Sequence, residues 1–186
     1  MSKASNAELP RSVDPYRLAE QDTVLEGDIP LSGLPRFREA IHGFEFEEGA
    51  VCRVRLSFTM DSQRRRIVTG ELRAPVDLEC QRCMNAMRET LVSEFTLGLV
   101  TSDEQAQQLP KELEPFLTDD FSADLWSMCE DELLLVLPPF PLHARSECPA
   151  REDLEAYEAD PEPAKPDTTS DENPFSVLAG LKTKKH

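Results

Sequence analysis

Val51-Cys-Arg-Val-Arg-Leu-Ser-Phe-Thr-Met60 alternates without a break. Cys52, Val54, Leu56, Phe58 and Met60 are apolar, while Arg53, Arg55, Ser57 and Thr59 are polar. A period of two puts those sets on opposite faces of a half-buried strand. Residues 61–65 supply a turn, and the pattern resumes. Val68, Gly70, Leu72, Ala74, Val76 and Leu78 alternate with Thr69, Glu71, Arg73 and Asp77. A third run sets Leu91, Phe95, Leu97 and Leu99 against Thr90, Val92, Glu94 and Thr96. Three such strands in succession predict an antiparallel meander with one solvated face. Pro75 cannot donate to a ladder, which predicts an edge or a bulge at that point.

Helical signals flank the meander. Asp14-Pro15 reads as an N-cap with proline at the first helical position, opening a short turn to Glu20. Residues 23–29 read as a strand, and 35–42 as a helix stopped by Gly43. Ser102-Asp-Glu-Gln105 is a capping box for a helix that Pro110 ends, and residues 112–120 read as irregular or a short strand. Leu125, Met128, Cys129, Leu133 and Val136 fall on one helical stripe, with Glu130 and Asp131 expected outside it. That helix is expected to pack on the apolar face of the sheet. The predicted class is α+β: a β-meander packed by a few helices in a domain over 12–148. A disordered acidic linker over 149–172 and a basic C-terminal helix and tail over 173–186 would follow.

Charge supports that division. The 186 residues carry a formal net charge of −16, of which 101–172 alone hold 4 Lys/Arg against 20 Asp/Glu. A chain this acidic does not coat nucleic acid by bulk electrostatics, and no DNA partner is expected. No run approaches the length of a membrane-spanning helix, and residues 1–10 lack the apolar region of a secretory signal. Five cysteines, an odd number, then point to a reducing cytoplasm rather than a disulfide framework.

Cys80 and Cys83 form a Cys-x-x-Cys turn at the end of the second strand, and His143 and Cys148 follow the last core helix. Together they make a Cys3His set suited to a structural zinc ion, because a borderline-soft ion is best satisfied by sulfur and nitrogen. A redox dithiol and an unmetallated turn are the rival readings. Cys52 and Cys129 sit on core faces and read as inert buried thiols. Arg53, Arg55, Arg64, Arg65, Arg66 and Arg73 read either as an RNA phosphate-binding patch or as solvated residues that discourage edge pairing. Phe175, Leu178 and Leu181 share one face of the last helix and Lys182 sits at its cationic end, which suits docking on a partner, with docking on its own domain as the alternative. With no glycine-rich phosphate loop, His-Glu-x-x-His or nucleophile elbow in the sequence, no enzyme is expected.

Several stretches resemble one bacterial family in order and spacing. They are Leu78-Glu-Cys-Gln-Arg-Cys83, Ser102-Asp-Glu-Gln-Ala106 with Leu109-Pro110, Glu130-Asp-Glu-Leu-Leu-Leu-Val-Leu-Pro138, Pro141-Leu-His143 and Asn173-Pro-Phe-Ser-Val-Leu-Ala-Gly-Leu-Lys182. The chain is similar from about Asp14 to Lys182 to the YceD family, whose members are called large ribosomal RNA subunit accumulation proteins. The resemblance implies a cytoplasmic, non-enzymatic ribosome biogenesis factor that supports synthesis, processing or accumulation of large-subunit (23S) ribosomal RNA. Its partner would be the precursor RNA or a ribosomal assembly protein. The alternatives are an acidic regulatory protein that holds a basic ribosomal or RNA-binding partner, and a thiol- or metal-dependent enzyme.

Overall fold

Asp14 opens the first helix. Its carboxylate accepts the N–H groups of Tyr16 and Arg17 at 3.1 and 3.0 Å, and Pro15 pre-sets the first turn, so α1 covers Pro15–Glu20. A two-residue strand, β1 (Ser12–Val13), precedes it, and β2 (Val24–Pro30) and α2 (Pro35–Ala40) follow. The computed structural model describes residues 7–41, 49–119 and 121–157, so the expected stop at Gly43 lies outside the described residues.

The three alternating stretches form β3 (Val51–Met60), β4 (Arg66–Glu79) and β5 (Ala86–Val100). They pair antiparallel in sequence order, with β2 added beside β3. The period-two reading holds in detail: Cys52, Val54, Leu56 and Phe58 are buried while Arg53 and Arg55 are exposed. Gly70 faces the same interior and is registered opposite Phe95. A Cβ at Gly70 would come within 2.1 Å of the Phe95 ring, so the glycine makes room for the aromatic across the ladder. Pro75 is registered opposite Thr90, beyond the last β3–β4 pair at Arg53 and Arg73. Its missing N–H therefore faces β3 where the β3–β4 ladder has already ended, so no ladder bond is lost.

The sheet is not purely antiparallel. After α3 (Asp103–Gln107) the chain returns as β6 (Glu114–Leu117), parallel to β5 over Leu97–Val100. Residues 101–113 give the length that a parallel crossover needs. Ser102 caps α3 by accepting from Gln105 N–H. The Gln105 side chain reaches back to Thr101 N–H at 3.0 Å, one residue beyond the N-cap that an ideal capping box would use.

Beyond β7 (Ala123–Asp124), which pairs with β1, α4 (Leu125–Leu135) starts on the Asp124 cap. Leu125, Met128, Cys129 and Leu133 are buried in the core with Phe37, Phe58 and Leu72. Burying each of the large aliphatic side chains stabilises by about 1.5–3 kcal/mol. Glu130 departs from the expectation. It is only 4% exposed and lies inside the packed surface. The reason is α2, whose preceding residue Leu34 has no side-chain cap to give. Glu130 supplies one from another helix, accepting Arg36 N–H at 2.7 Å, Phe37 N–H at 3.0 Å and the Arg36 guanidinium at 2.9 Å.

The chain divides into two compact units, Met1–Cys148 and Pro149–His186. The expected linker over 149–172 has regular structure at its start, where Arg151–Tyr157 form α5. Glu152 and Asp153 in the first turn and the Arg151–Glu155 pair at 2.8 Å favour that helix locally. The rest of the linker and the tail over 173–186, with Phe175, Leu178, Leu181 and Lys182, lie outside the described residues.

Candidate metal centre

The β4–β5 ladder closes at Glu79 and Ala86, leaving residues 80–85 as the hairpin loop. Cys80 N–H donates to the Asn85 carbonyl at 3.0 Å, and Met84 N–H to the Cys80 carbonyl at 2.8 Å. Met84 takes a positive φ of 58°, uncommon outside glycine and asparagine, to complete the turn. This compact loop carries the Cys80 and Cys83 sulfurs on one side. The segment after α4 reaches it next: Pro138 stops the helix, the chain bends at Pro139 and Phe140, and the Pro141 carbonyl accepts Gln81 N–H at 2.9 Å. His143 then enters the loop, and a turn closed by Glu147 N–H on the Ala144 carbonyl at 2.9 Å returns Cys148 to it.

All four expected ligands meet here. The Cys80, Cys83 and Cys148 sulfurs and a ring nitrogen of His143 lie within 4.8 Å of one another. The Cys83 sulfur stands 3.4 Å from His143 Nδ1. Ligands of a tetrahedral zinc ion, bonded at about 2.0–2.3 Å, stand roughly 3.3–3.8 Å apart. Drawing these four onto one ion therefore needs little movement. Cys80 and Cys148 are buried and Cys83 and His143 half-buried, so the cluster is screened from water without being sealed.

Electrostatics prepare one sulfur for a cation. Burial of Cys80 opposes its charge, but N–H groups of Cys83, His143 and Arg82 aimed at the sulfur outweigh that and hold its pKa down to about 5. The His143 N–H donates to it at 3.4 Å. Cys83 moves upward, first through burial and then through the neighbouring Cys80 and Cys148 sulfurs. Three thiols packed together without an ion cannot all be thiolates, and a dication would relieve that conflict.

The six arginines do not converge. Arg53, Arg55 and Arg73 stand on the outer face of the sheet among Glu26 and Glu71, and Arg55 pairs with Glu26. Arg64, Arg65 and Arg66 lie at the far end of β3, about 23 Å along the strand. There Arg65 pairs with Asp61 at 2.6 Å, and Arg66 pairs with Glu20 at 2.9 Å and covers the Tyr16 ring. Carboxylates stand beside several of them: Asp28 opposite Arg53 and Glu26 and Glu71 opposite Arg55 across the strands, Asp61 within the turn and Glu20 from α1. Sequence reading missed the Pro141 carbonyl that holds the cysteine hairpin, although the Pro138-Pro-Phe-Pro141 run was a visible sign that the helix stops there. Among the described residues, no helix is long and apolar enough to cross a membrane.

Residues 68–182 match the family model described as Large ribosomal RNA subunit accumulation protein YceD. A protein of that name from Haemophilus influenzae is 34% identical over 177 residues, covering 95% of this chain and 97% of the relative. No solved structure matches.

Proposed function

Because this chain belongs to the YceD family, we propose that it is a ribosome biogenesis factor of the cytoplasm, needed for normal accumulation of large-subunit ribosomal RNA. The observation that carries this reading is the likeness to the Haemophilus influenzae protein over almost the whole of both chains. The factor acts without catalysing a reaction. Supporting this, the Cys3His cluster offers four protein ligands, a full tetrahedral set, whereas catalytic zinc keeps a position open for water or substrate. Zinc at Cys80, Cys83, His143 and Cys148 is structural: it ties the β4–β5 hairpin to the segment after α4. The partner is a ribosomal assembly protein or the RNA itself. The carboxylates interleaved with the outer-face arginines favour the protein.

The test is depletion of the protein in its own host. Large-subunit RNA should fall relative to small-subunit RNA, and the intact chain supplied in trans should restore the ratio. An unchanged ratio during growth without the protein would sink the proposal. Crosslinking in the same cells, read by mass spectrometry and by RNA sequencing, separates a protein partner from direct RNA contact.

A further inference from the structure

Among the described residues, one edge of the sheet is open. Among the described residues β5 pairs with β4 alone from Ala86 to Thr96, and β6 joins only over Leu97–Val100. The direction of the backbone groups along that stretch follows from one residue. Opposed residues in an antiparallel ladder either exchange both N–H···O bonds or exchange neither. Thr90 is opposite Pro75, which has no N–H, so that pair exchanges neither. The N–H and C=O of Thr90 therefore point away from β4, and by the period of two so do those of Val92 and Glu94. A second observation agrees. Thr90 N–H donates to the Glu89 carboxylate at 3.3 Å, a neighbouring side chain instead of a strand.

A groove of about 380 Å³ runs beside this edge, lined by Glu89, Val92, Val136, Pro138, Phe140 and Leu142 among others. Phe140 is 75% exposed, and Val92 and Leu142 are also exposed. Long, flat edges next to apolar surface are normally blunted by proline, a bulge or a covering element. Residues 86–96 contain no proline.

We propose that the free edge of β5 from Thr90 to Glu94 binds an extended segment of a basic protein by strand addition, with every second side chain of that segment seated on the Val136–Leu142 wall. Charge selects this occupant over a second copy of the chain. Arg88 is already held by Asp77 at 3.0 Å, while Glu89 and Glu94 have no ion pair among the described residues. The edge is thus acidic, and each copy would bring a further −16. A lysine or arginine on the incoming strand pairs with Glu89 once its carboxylate is displaced from Thr90 N–H. Main-chain bonds hold the peptide, and the apolar wall selects alternate side chains. This inference rests on the sheet edge and stands whether or not the chain acts on ribosomal RNA.

The test uses the full-length protein and three labelled ten-residue peptides, alternating Lys with Val, Lys with Gly, and Glu with Val. The Lys–Val peptide should bind best and slow hydrogen exchange at the Thr90, Val92 and Glu94 amides. Val92→Pro removes one edge donor while leaving the β4 side intact, and should weaken binding roughly three- to tenfold. Should that variant fail to fold, the double variant Glu89→Lys/Glu94→Lys serves instead and should shift preference to the Glu–Val peptide. Equal binding of the Lys–Val and Lys–Gly peptides would reduce the effect to bulk charge and overturn the proposal. An unaltered preference in the double variant would do the same. So would a doubled mass with those three amides already protected in the absence of peptide, since a second copy would then occupy the edge.

Discussion

Cys52 and Cys80 are both fully buried, yet their thiols are driven in opposite directions. Cys52 lies in the apolar core between sheet and α4, where burial pushes its pKa up to about 12. Cys129, close by, is raised for the same first reason. Cys80 lies in a hairpin loop whose N–H groups point at its sulfur, and its pKa falls to about 5. The difference teaches that burial alone says nothing about the chemistry of a cysteine. Donors decide it: strand residues spend their N–H groups on the ladder, while a tight turn has several left to aim at one atom.

The hairpin region can be broken most severely. Cys83→Ser should abolish zinc binding and destabilise the fold by several kcal/mol, because structural metal is coupled to folding. Metal analysis should find about one zinc per chain in the wild type and none in the variant, alongside a lower melting temperature. Metal-free wild-type protein with unchanged melting would end the zinc assignment and reduce the loop to a turn with an unusual thiol.

In the core, Glu130 plays the role that ions and donors play at the hairpin: a charge held by fixed partners. Glu130→Ala removes the cap from α2 and leaves Arg36 N–H and Phe37 N–H without an acceptor. Urea unfolding should show a loss of about 3 kcal/mol. A loss below about 0.5 kcal/mol would mean that water replaces the carboxylate easily and that the site is not sealed.

The smallest effect sharpens the rule within one helix. Glu132 is also buried, but its pKa is raised, first by burial and then by Glu114 and Asp131, with a hydrogen bond to Ser93 opposing the rise. A carboxyl raised in the folded state stabilises in its protonated form. Its contribution is complete below the unfolded value of about 4.3 and is lost as pH climbs through the folded value. Glu132→Gln should therefore raise stability at neutral pH and flatten its fall across that window. Denaturant midpoints at pH 4 and pH 7 measure it, and a variant less stable than wild type at pH 7 would contradict the sign.

Local pattern alone determined much of this protein. Alternation between Val51 and Leu99 defined three strands because side-chain direction in a strand has a period of two, whatever the strand packs against. Asp14-Pro15 and Ser102 placed helix starts because a cap acts within three residues. The four residues of the candidate metal cluster were also legible, since their residue types limit the chemistry wherever the chain takes them. Contacts across long separations were decided only in three dimensions. Glu130 read as a solvated helix residue until α2, over ninety positions away, arrived with uncapped N–H groups. That the six arginines fall into two groups, one beside Glu26 and Glu71 and one beside Asp61 and Glu20, came from the register and the packing of α1. The parallel return of β6 and the open edge of β5 were likewise invisible, because a strand's own residues specify its faces but not which neighbour takes its hydrogen bonds.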